Sequence, residues 1–562
     1  MSVLGRLTLA AAAAAAVSVV AVLPPARRVL EAPAGMPAPR GVMHVHTVRS
    51  DGSGSVEAVA RAARQANLDF VVLTDHGDGM RPSDAPRYVE GVLLIDAVEI
   101  STDQGHVVAL GLPPAPYPLG GEARDVVQDV RRLGAFTIAA HPESAKADLR
   151  WDDWDLPVDG LEWLNGDSQW RDESWRAMLS ALLTYPARPA ESVARLLDRP
   201  EDALRRWDGL TRTRQVVGVA GADAHARLGP RGVGEPFDSA LTLPFPSYAS
   251  VFPAFVTTLP GVTLTLDPVV DAQAVLAAIA AGHVVSAVDA LAGPGVLELQ
   301  VASGEHVAAG GDVLPLGGPV SITVRGGAPE ATLVLVRDGD TVSTAQGTSL
   351  TYTAEGVRAV YRAEARLPGA PGEPPVPWLV SNPVYVGLPE VGVAPQQTSP
   401  ITESLTLFAD EGVVDWRVER RASAEGAVDV VADVGGTEVL FRYALSGRES
   451  EGPYVALVLP TPARLPEFDR LRFSARADKP MRVSVQLRGL RDGVEERWNR
   501  SVYLDEMPVD VVIPFEGLTR VAGSGDELSG VDVSSLMLVV DTVNTRIGSA
   551  GRVWVDDVAL VR

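Results

Sequence analysis

Between Gly41 and about Ala292, short apolar strand patterns alternate with helical patterns, and this alternation limits the folds open to the chain. The strand patterns include GVMHVH, DFVVL, VLLIDAVEI, AFTIAA and VVGVAGADAH, and the helical ones include SVEAVARAARQA and ARDVVQDVRRLG. Such alternation predicts an α/β barrel-like domain. After Ala292 the helical patterns almost vanish, and alternating strands with Gly and Asp turns predict β-sandwich structure.

The 562 residues are enough for several domains at roughly 100–200 residues each. The predicted parts are a signal peptide or signal anchor over 1–23, a Pro/Ala-rich linker over 24–40, the α/β domain over 41–291, a β-sandwich over 292–392 and a jelly-roll-like β domain over 400–562.

The N-terminus has the pattern of an export signal. Arg6 precedes an apolar, Ala-rich run over residues 7–23, which Pro24 and Pro25 follow. The run is at the short limit for a membrane span, about 17–25 residues. Cleaved signal peptide and uncleaved anchor both stay open, and the lack of an A-x-A site directly after the run slightly favours the anchor. We therefore expect an exported protein, periplasmic or in the cell envelope, that touches a membrane only through this segment.

Charge and cysteine content exclude several classes of protein. The net charge is −23 and basic residues form no cluster, so a nucleic-acid partner is disfavoured. The chain has no cysteine, which excludes disulfides and thiolate metal sites. Any bound metal must use His, Asp and Glu.

Six of the eight histidines stand where predicted strands end or begin, together with three carboxylates. These nine residues are His44, His46, Asp51, His76, Glu99, His106, His141, Asp223 and His225. The carboxyl ends of barrel strands converge on one face, where sites are built. Imidazole and carboxylate suit Zn, Mn and Fe ions, so the pattern predicts a metal cluster. His283 and His306 lie outside it and receive no role.

These motifs resemble the PHP (polymerase and histidinol phosphatase) superfamily. H-V-H, S-D-G, T-D-H, a glutamate at a strand end, H-P and D-A-H follow one another in the family's order over about residues 41–290. The later LVSNPVYVG is similar to the tail of a branch that includes CehA/McbA-type metallohydrolases. The resemblance implies a distorted (β/α)7 barrel that binds two or three divalent ions.

The resemblance also implies how the ligands are shared. His44, His46, Glu99 and Asp223 would bind the first ion, Glu99, His106 and His141 the second, and Asp51, His76 and His225 the third, with Glu99 bridging two ions. Asp75 is expected to orient a neighbouring ligand. Arg227 and Arg49 are candidate cations for substrate oxygens, and Glu99, Asp75 and Arg227 are the expected catalytic group.

Clustered divalent ions lower the pKa of bound water and stabilise charge that develops on substrate oxygens. The favoured function is therefore hydrolysis of a small-molecule phosphate ester. Carbamate, ester or amide hydrolysis, which the CehA-type branch implies, is the alternative enzyme. A third hypothesis is a surface glycan binder, because the closing GRVWVDDVALVR resembles the last strand of carbohydrate-binding jelly rolls.

Overall fold

The computed structural model describes residues 23–30, 38–227, 243–388, 401–409, 415–433, 436–461, 468–523, 528 and 531–562. The predicted signal segment, apart from Leu23, lies outside the described residues, as does the stretch 389–400 between the two predicted β domains. Within the described ranges, no helix has the length and apolarity that crossing a membrane requires.

The chain divides into two compact units. Unit 1 comprises Met1–Pro113 and Glu122–Gly392, and unit 2 comprises Pro114–Gly121 and Val393–Arg562. Unit 1 therefore continues past residue 291, where the sequence predicts a domain boundary. The predicted domain bounds themselves stay predictions.

The helices of unit 1 span Val56–Gln65, Ala123–Arg132, Gly166–Arg171, Trp175–Thr184, Pro189–Ala194, Glu201–Thr211, Tyr248–Val251 and Pro268–Ala280. Its strands are β1 Arg28–Val29, β2 Arg40–Val45, β3 Phe70–Leu73, β4 Arg87–Val89, β5 Val92–Asp96, β6 Val98–Thr102, β7 Gly105–Leu110, β8 Phe136–Ala139, β9 Gly160–Asn165, β10 Val217–Ala224, β11 Val256–Thr258, β12 Val285–Ala287, β13 Ala292–Gly293, β14 Leu297–Ser303, β15 His306–Ala309, β16 Val313–Leu314, β17 Val320–Gly326, β18 Thr332–Arg337, β19 Asp340–Gln346, β20 Ser349–Ala354, β21 Ala359–Arg366, β22 Leu379–Ser381 and β23 Val384–Val386.

The first strands of unit 1 form a closed barrel. The parallel pairs are β2–β3, β3–β5, β8–β9, β9–β10 and β10–β2, while β7 pairs antiparallel with both β6 and β8. Only Ala97 separates β5 from β6, and a parallel bridge between His76 and Glu99 joins the β3 end to β6. The predicted α/β domain is confirmed, and its sheet is mixed and mainly parallel.

Apolar side chains on the inner faces of these strands and on the packed helices fill the core of unit 1. Met43, Phe70, Leu93 and Ile138 are essentially inaccessible to water. Each such side chain stabilises the fold by about 1.5–3 kcal/mol relative to leaving it exposed. This core is therefore closed to solvent, and most of the candidate metal ligands lie at or near the carboxyl ends of the strands.

The segment after residue 291 is hydrogen-bonded to the barrel sheet. β12 pairs antiparallel with β22, with Ser286 opposite Val380, and β22 pairs with β21. Asn382, in the LVSNPVYVG motif, is buried and exchanges two 2.8 Å hydrogen bonds with the backbone of Gly218 in β10. That motif therefore attaches this segment to the barrel.

Unit 2 is a β-sandwich, as the alternating pattern predicts. Its strands are β24 Ser404–Phe408, β25 Arg417–Arg421, β26 Glu425–Asp433, β27 Gly436–Ala444, β28 Tyr454–Pro460, β29 Arg470–Ala477, β30 Met481–Arg491, β31 Val494–Leu504, β32 Val509–Pro514, β33 Thr519–Ala522, β34 Asp532–Asp541 and β35 Ala550–Val561. One antiparallel sheet has the order β26-β27-β35-β29-β32 with β24 also paired to β35, and the other has the order β25-β28-β34-β30-β31-β33. Phe441, Phe473, Leu457 and Leu538 belong to the buried core of this unit.

Candidate metal centre

The nine candidate ligands lie at one edge of the barrel. Eight of these ligands lie within or just after β2, β3, β6, β8 and β10. His106 lies near the beginning of β7, which is antiparallel to its neighbours, so it is at the same edge. All nine are buried or half-buried. The barrel therefore brings together residues that are up to 181 positions apart, from His44 to His225.

Glu99 is at the centre of the cluster. Its Oε2 lies 3.2 Å from Nε2 of both His44 and His46 and 3.3 Å from Nδ1 of His76. Its Oε1 lies 2.9 Å from Nδ1 of His106 and from Nε2 of His141. Each carboxylate oxygen thus faces a different group of rings, which is the arrangement expected of a bridging ligand.

Asp223 completes the first group of ligands. Its Oδ1 lies 3.4 Å from Nε2 of His44 and 3.3 Å from Nε2 of His46. Oxygen and nitrogen ligands held about 2.0–2.1 Å from a tetrahedral ion are about 3.4 Å apart. The spacing of these side chains therefore suits a shared cation.

Asp51 gathers the remaining rings. Its Oδ2 lies 3.0 Å from Nε2 of His225 and 3.7 Å from Nε2 of His76, and its Oδ1 lies 3.4 Å from Nδ1 of His46. The rings of His46 and His225 stack with centroids 4.1 Å apart. Asp51 is thus placed to share ions with the histidines of three different strand ends.

The cluster contains three overlapping groups, and within each group the ligand atoms all lie within 4.8 Å of one another. The groups are His46, Asp51, His76 and His225; His44, His46 and Glu99; and His76, Glu99 and His106. The grouping differs from the one that the resemblance implies: these three groups include neither Asp223 nor His141, and two histidines are shared between groups. His46 and His76 each face two groups, because each ring presents one nitrogen to Glu99 and the other to Asp51.

Unsatisfied ring nitrogens support a cation at this position. Among the described residues, His44 Nε2, His46 Nε2 and His76 Nδ1 are buried and have no hydrogen-bond partner. Buried polar atoms are nearly always paired, because leaving one unpaired costs about 1–3 kcal/mol. All three face Glu99 Oε2, so a divalent ion would satisfy them together.

The backbone at three ligands is strained. His44, His141 and Asp223 have positive φ angles of 63°, 32° and 44°. The left-handed region is disfavoured for residues with a Cβ, and such conformations cost about 1–3 kcal/mol each. They occur at or near the carboxyl ends of β2, β8 and β10, where the side chains enter the cluster.

The electrostatics of the cluster also favour cations. Burial opposes protonation of His46, but the carboxylates of Asp223 and Glu99 outweigh it and raise its pKa to about 10. Burial likewise opposes ionisation of Glu99, yet the neighbouring imidazoles hold its pKa well below the usual range. Protons and metal ions compete for the same nitrogens, so metal binding would release protons.

Glu162 and Asn165, which the sequence analysis did not single out, hold the ligands in place. Glu162 Oε1 lies 2.6 Å from His44 Nδ1, and its Oε2 accepts hydrogen bonds from the His141 backbone N–H and from Asn165 Nδ2. Gly221 packs directly against this carboxylate, where a Cβ would collide with it. In the sequence, the feature that could have indicated Glu162 is its charge inside the otherwise apolar strand pattern GLEWLN.

Asp75 acts through a loop rather than through a ring. It accepts hydrogen bonds from Thr47 N at 2.7 Å, from Ser50 Oγ at 2.7 Å and from Arg49 Nε at 3.0 Å. These contacts hold the 47–51 loop that carries Asp51. Asp75 is therefore a positioning residue, which refines the expectation that it orients a neighbouring ligand.

The two candidate arginines have different surroundings. Arg49 also binds Asp84 at 3.0 Å and Asp96 at 2.8 Å, so its charge is already compensated. Arg227 donates from Nη1 to the Asp51 carbonyl oxygen at 3.2 Å, which places it beside the cluster. Binding of substrate oxygens by Arg227 stays a prediction.

Replacing Glu162 with glutamine is expected to weaken metal binding by about 10–100-fold, the usual effect of losing a residue that orients a ligating histidine. The reason is that glutamine loses the charge that polarises His44. Competition with a chromogenic chelator measures the affinity. Glu355→Gln, at an exposed position of unit 1, is the matched control. Unchanged affinity in Glu162→Gln would show that His44 needs no such partner.

No model of a known protein family matches the chain, and no curated protein matches it. Solved structures match its C-terminal β-sandwich. They include a family 11 carbohydrate-binding module of a cellulosomal cellulase of Clostridium thermocellum, 19% identical over 28% of this chain and 94% of that one, with a TM-score of 0.24. A family 30 module from a cellulosomal cellulase of the same organism is 15% identical over 28% and 96%, with a TM-score of 0.22. The case for the barrel therefore depends on its own motifs and geometry.

Proposed function

We propose that unit 1 is a metal-dependent hydrolase of the PHP type and that its substrate is a phosphate ester. The observation that carries the proposal is the set of three overlapping ligand groups, two of which contain Glu99. The closed barrel and the order of the strand-end motifs support the same family.

Two or three divalent ions (Zn, Mn or Fe) would supply an activated water and would neutralise charge on substrate oxygens. The chain's own residues prepare the site for them. Glu99 and Asp223 provide negative charge, Glu162 fixes the His44 ring, and Asp75 fixes the loop of Asp51. The apolar barrel behind them keeps bulk water away from the buried rings.

A phosphate ester is favoured because several cations together stabilise a multiply charged oxyanion, as in other sites with two metal ions. The protein's charge of −23 would otherwise repel an anionic substrate. Carbamate, ester or amide hydrolysis stays the alternative. The LVSNPVYVG motif does not decide between them, since Asn382 serves to attach strands.

The test is hydrolysis of p-nitrophenyl phosphate and bis-p-nitrophenyl phosphate by the full chain, first stripped of metal and then loaded with Mn or Zn. We expect metal-dependent cleavage that falls more than about 100-fold in His46→Ala, because a direct ligand matters more than a residue that orients one. His306→Ala, an exposed histidine outside the cluster, is the matched control and should keep full activity.

The ratio of monoester to diester cleavage would narrow the substrate class. If metal-loaded protein leaves both phosphoesters intact and cleaves p-nitrophenyl acetate or a carbamate, the alternative hydrolase is correct. If it cleaves none of them, the hydrolase proposal is wrong.

Glycan binding by residues 400–562 stays a prediction. In the closing strand β35, the ring of Trp554 is covered by the guanidinium of Arg476, whose carbon lies 4.1 Å from the ring centroid. This tryptophan is therefore already engaged within its own sheet.

A further inference from the structure

The helix Trp175–Thr184 turns its large apolar side chains towards solvent. Trp175 is 67% exposed, Leu182 is 52% exposed and Leu183 is 53% exposed, with Leu179 only slightly less accessible at 46%. The residues that the helix buries are Ala181 and Thr184. Positions i, i+4, i+7 and i+8 share one side of a helix, so the four form a continuous apolar stripe.

This arrangement is the reverse of an ordinary surface helix, which buries its large apolar residues. Complete burial of a large apolar side chain is worth about 1.5–3 kcal/mol, and these side chains, which are about half exposed, forgo part of it. A contiguous exposed apolar patch is typical of a surface that contacts a protein or a membrane. The stripe of Trp175, Leu179, Leu182 and Leu183 therefore needs an apolar environment.

The N-terminal segment of the chain reaches the end of this same helix. Pro24 is buried, and its carbonyl oxygen accepts a hydrogen bond from the guanidinium of Arg188, four residues beyond the helix end at Thr184. The backbone N–H of Arg27 donates to Glu191 Oε1 at 3.0 Å. Pro24 therefore lies beside Arg188, near the C-terminal end of the helix.

The segment that follows Pro24 is held by other parts of unit 1. β1 pairs in parallel with β13, with Arg28 opposite Ala292, and the Arg28 guanidinium lies 2.6 Å from Glu330. The helix of ten residues is only about 15 Å long. Pro24 is consequently close to the apolar stripe.

The preceding residues 7–23 form the apolar run that the sequence predicts to be a signal peptide or a signal anchor. We propose that the stripe of Trp175, Leu179, Leu182 and Leu183 lies in the interfacial layer of the lipid bilayer in which the N-terminal run is held. The chemistry of the stripe suits this partner, since tryptophan and leucine are typical of helices that lie in the plane of the interface. The Arg176 guanidinium, 5.5 Å from the Trp175 ring centroid, can keep its charge at the headgroup level.

The absence of cysteine makes the test direct. Leu182→Cys and Leu179→Cys in the full chain each carry a single environment-sensitive fluorophore, and Val307→Cys, an exposed apolar position of unit 1, is the control. Each protein is reconstituted into vesicles of phosphatidylcholine and phosphatidylglycerol, with or without doxyl-labelled phospholipid. We expect quenching at positions 182 and 179 to exceed that at position 307 by about twofold or more, because an interfacial helix lies within the range of lipid-borne quenchers.

Quenching at positions 182 and 179 that is no greater than at 307 would overturn the proposal. So would the finding that the purified protein has lost residues 1–23 and does not bind the vesicles. Neither result bears on the hydrolase proposal, because phosphoester cleavage is measured without vesicles. Unchanged metal-dependent activity in the labelled proteins would show that they fold correctly.

Discussion

Replacing Glu99 with glutamine is expected to lower the affinity for divalent metal by more than about 100-fold, beyond the usual effect of losing an orienting residue. Glu99 contacts five of the six histidines of the cluster. The substitution removes the charge shared by two ligand groups and points an amide N–H group at ring nitrogens that need a cation. Hydrolysis should fall with the metal content.

Metal-to-protein ratios after gel filtration, measured by atomic emission beside the hydrolysis rate, check this expectation. Asp223→Asn is an informative comparison, because Asp223 Oδ1 faces fewer histidines than Glu99 does. It lies near His44 and His46, and 3.6 Å from His225. It should lose less metal than Glu99→Gln. A Glu99→Gln protein with the full complement of metal would refute the bridging role.

Replacing Glu364 with glutamine is expected to destabilise unit 1 by about 3–5 kcal/mol, the usual cost of breaking a buried ion pair. Glu364 is fully buried and accepts hydrogen bonds from Arg362 at 2.6 Å, from Arg199 at 2.8 and 2.9 Å, and from Arg366 at 2.6 and 2.9 Å. Arg362 in turn binds both oxygens of Asp208. The substitution removes the negative charge that Arg199 and Arg362 share, and it leaves Arg362 paired with Asp208 alone.

Urea denaturation of the metal-loaded protein gives the change in the free energy of unfolding. Glu355→Gln, the exposed control, should change it by less than about 0.5 kcal/mol. A change that small in Glu364→Gln would mean that the network contributes little to stability.

The same carboxylate makes stability depend on pH. Burial alone would raise the pKa of Glu364, but the guanidinium groups of Arg362, Arg199 and Arg366 hold it well below its usual range. A depressed folded-state pKa adds stability above the unfolded-state value of about 4.3 and loses it as the pH falls towards the folded-state value. Wild type should therefore lose more stability than Glu364→Gln on acidification below about pH 4.3.

The candidate ligands were accessible from the sequence because their spacing carries physical information. The strand pattern predicts that His44 and His46, two positions apart, share a face, and carboxyl ends of parallel strands meet at one edge of a barrel. Strand and helix periodicity likewise separate the α/β part from the β part. A helix buries a face that recurs every three to four residues, whereas a strand buries alternate residues. Local pattern thus determined the element types and the set of candidate metal ligands.

Only the tertiary structure decided how those residues are shared and supported. Glu162 orients His44 from a strand more than a hundred positions away, and Asp75 holds a loop rather than a ring. The Arg362–Glu364 network and the pairing of β12 with β22 join segments that the local patterns separate. Such contacts depend on distances between chain positions that are remote in sequence, and no local periodicity encodes them. The sequence therefore determined which side chains are available for metal chemistry, and the folded packing decided which atoms meet.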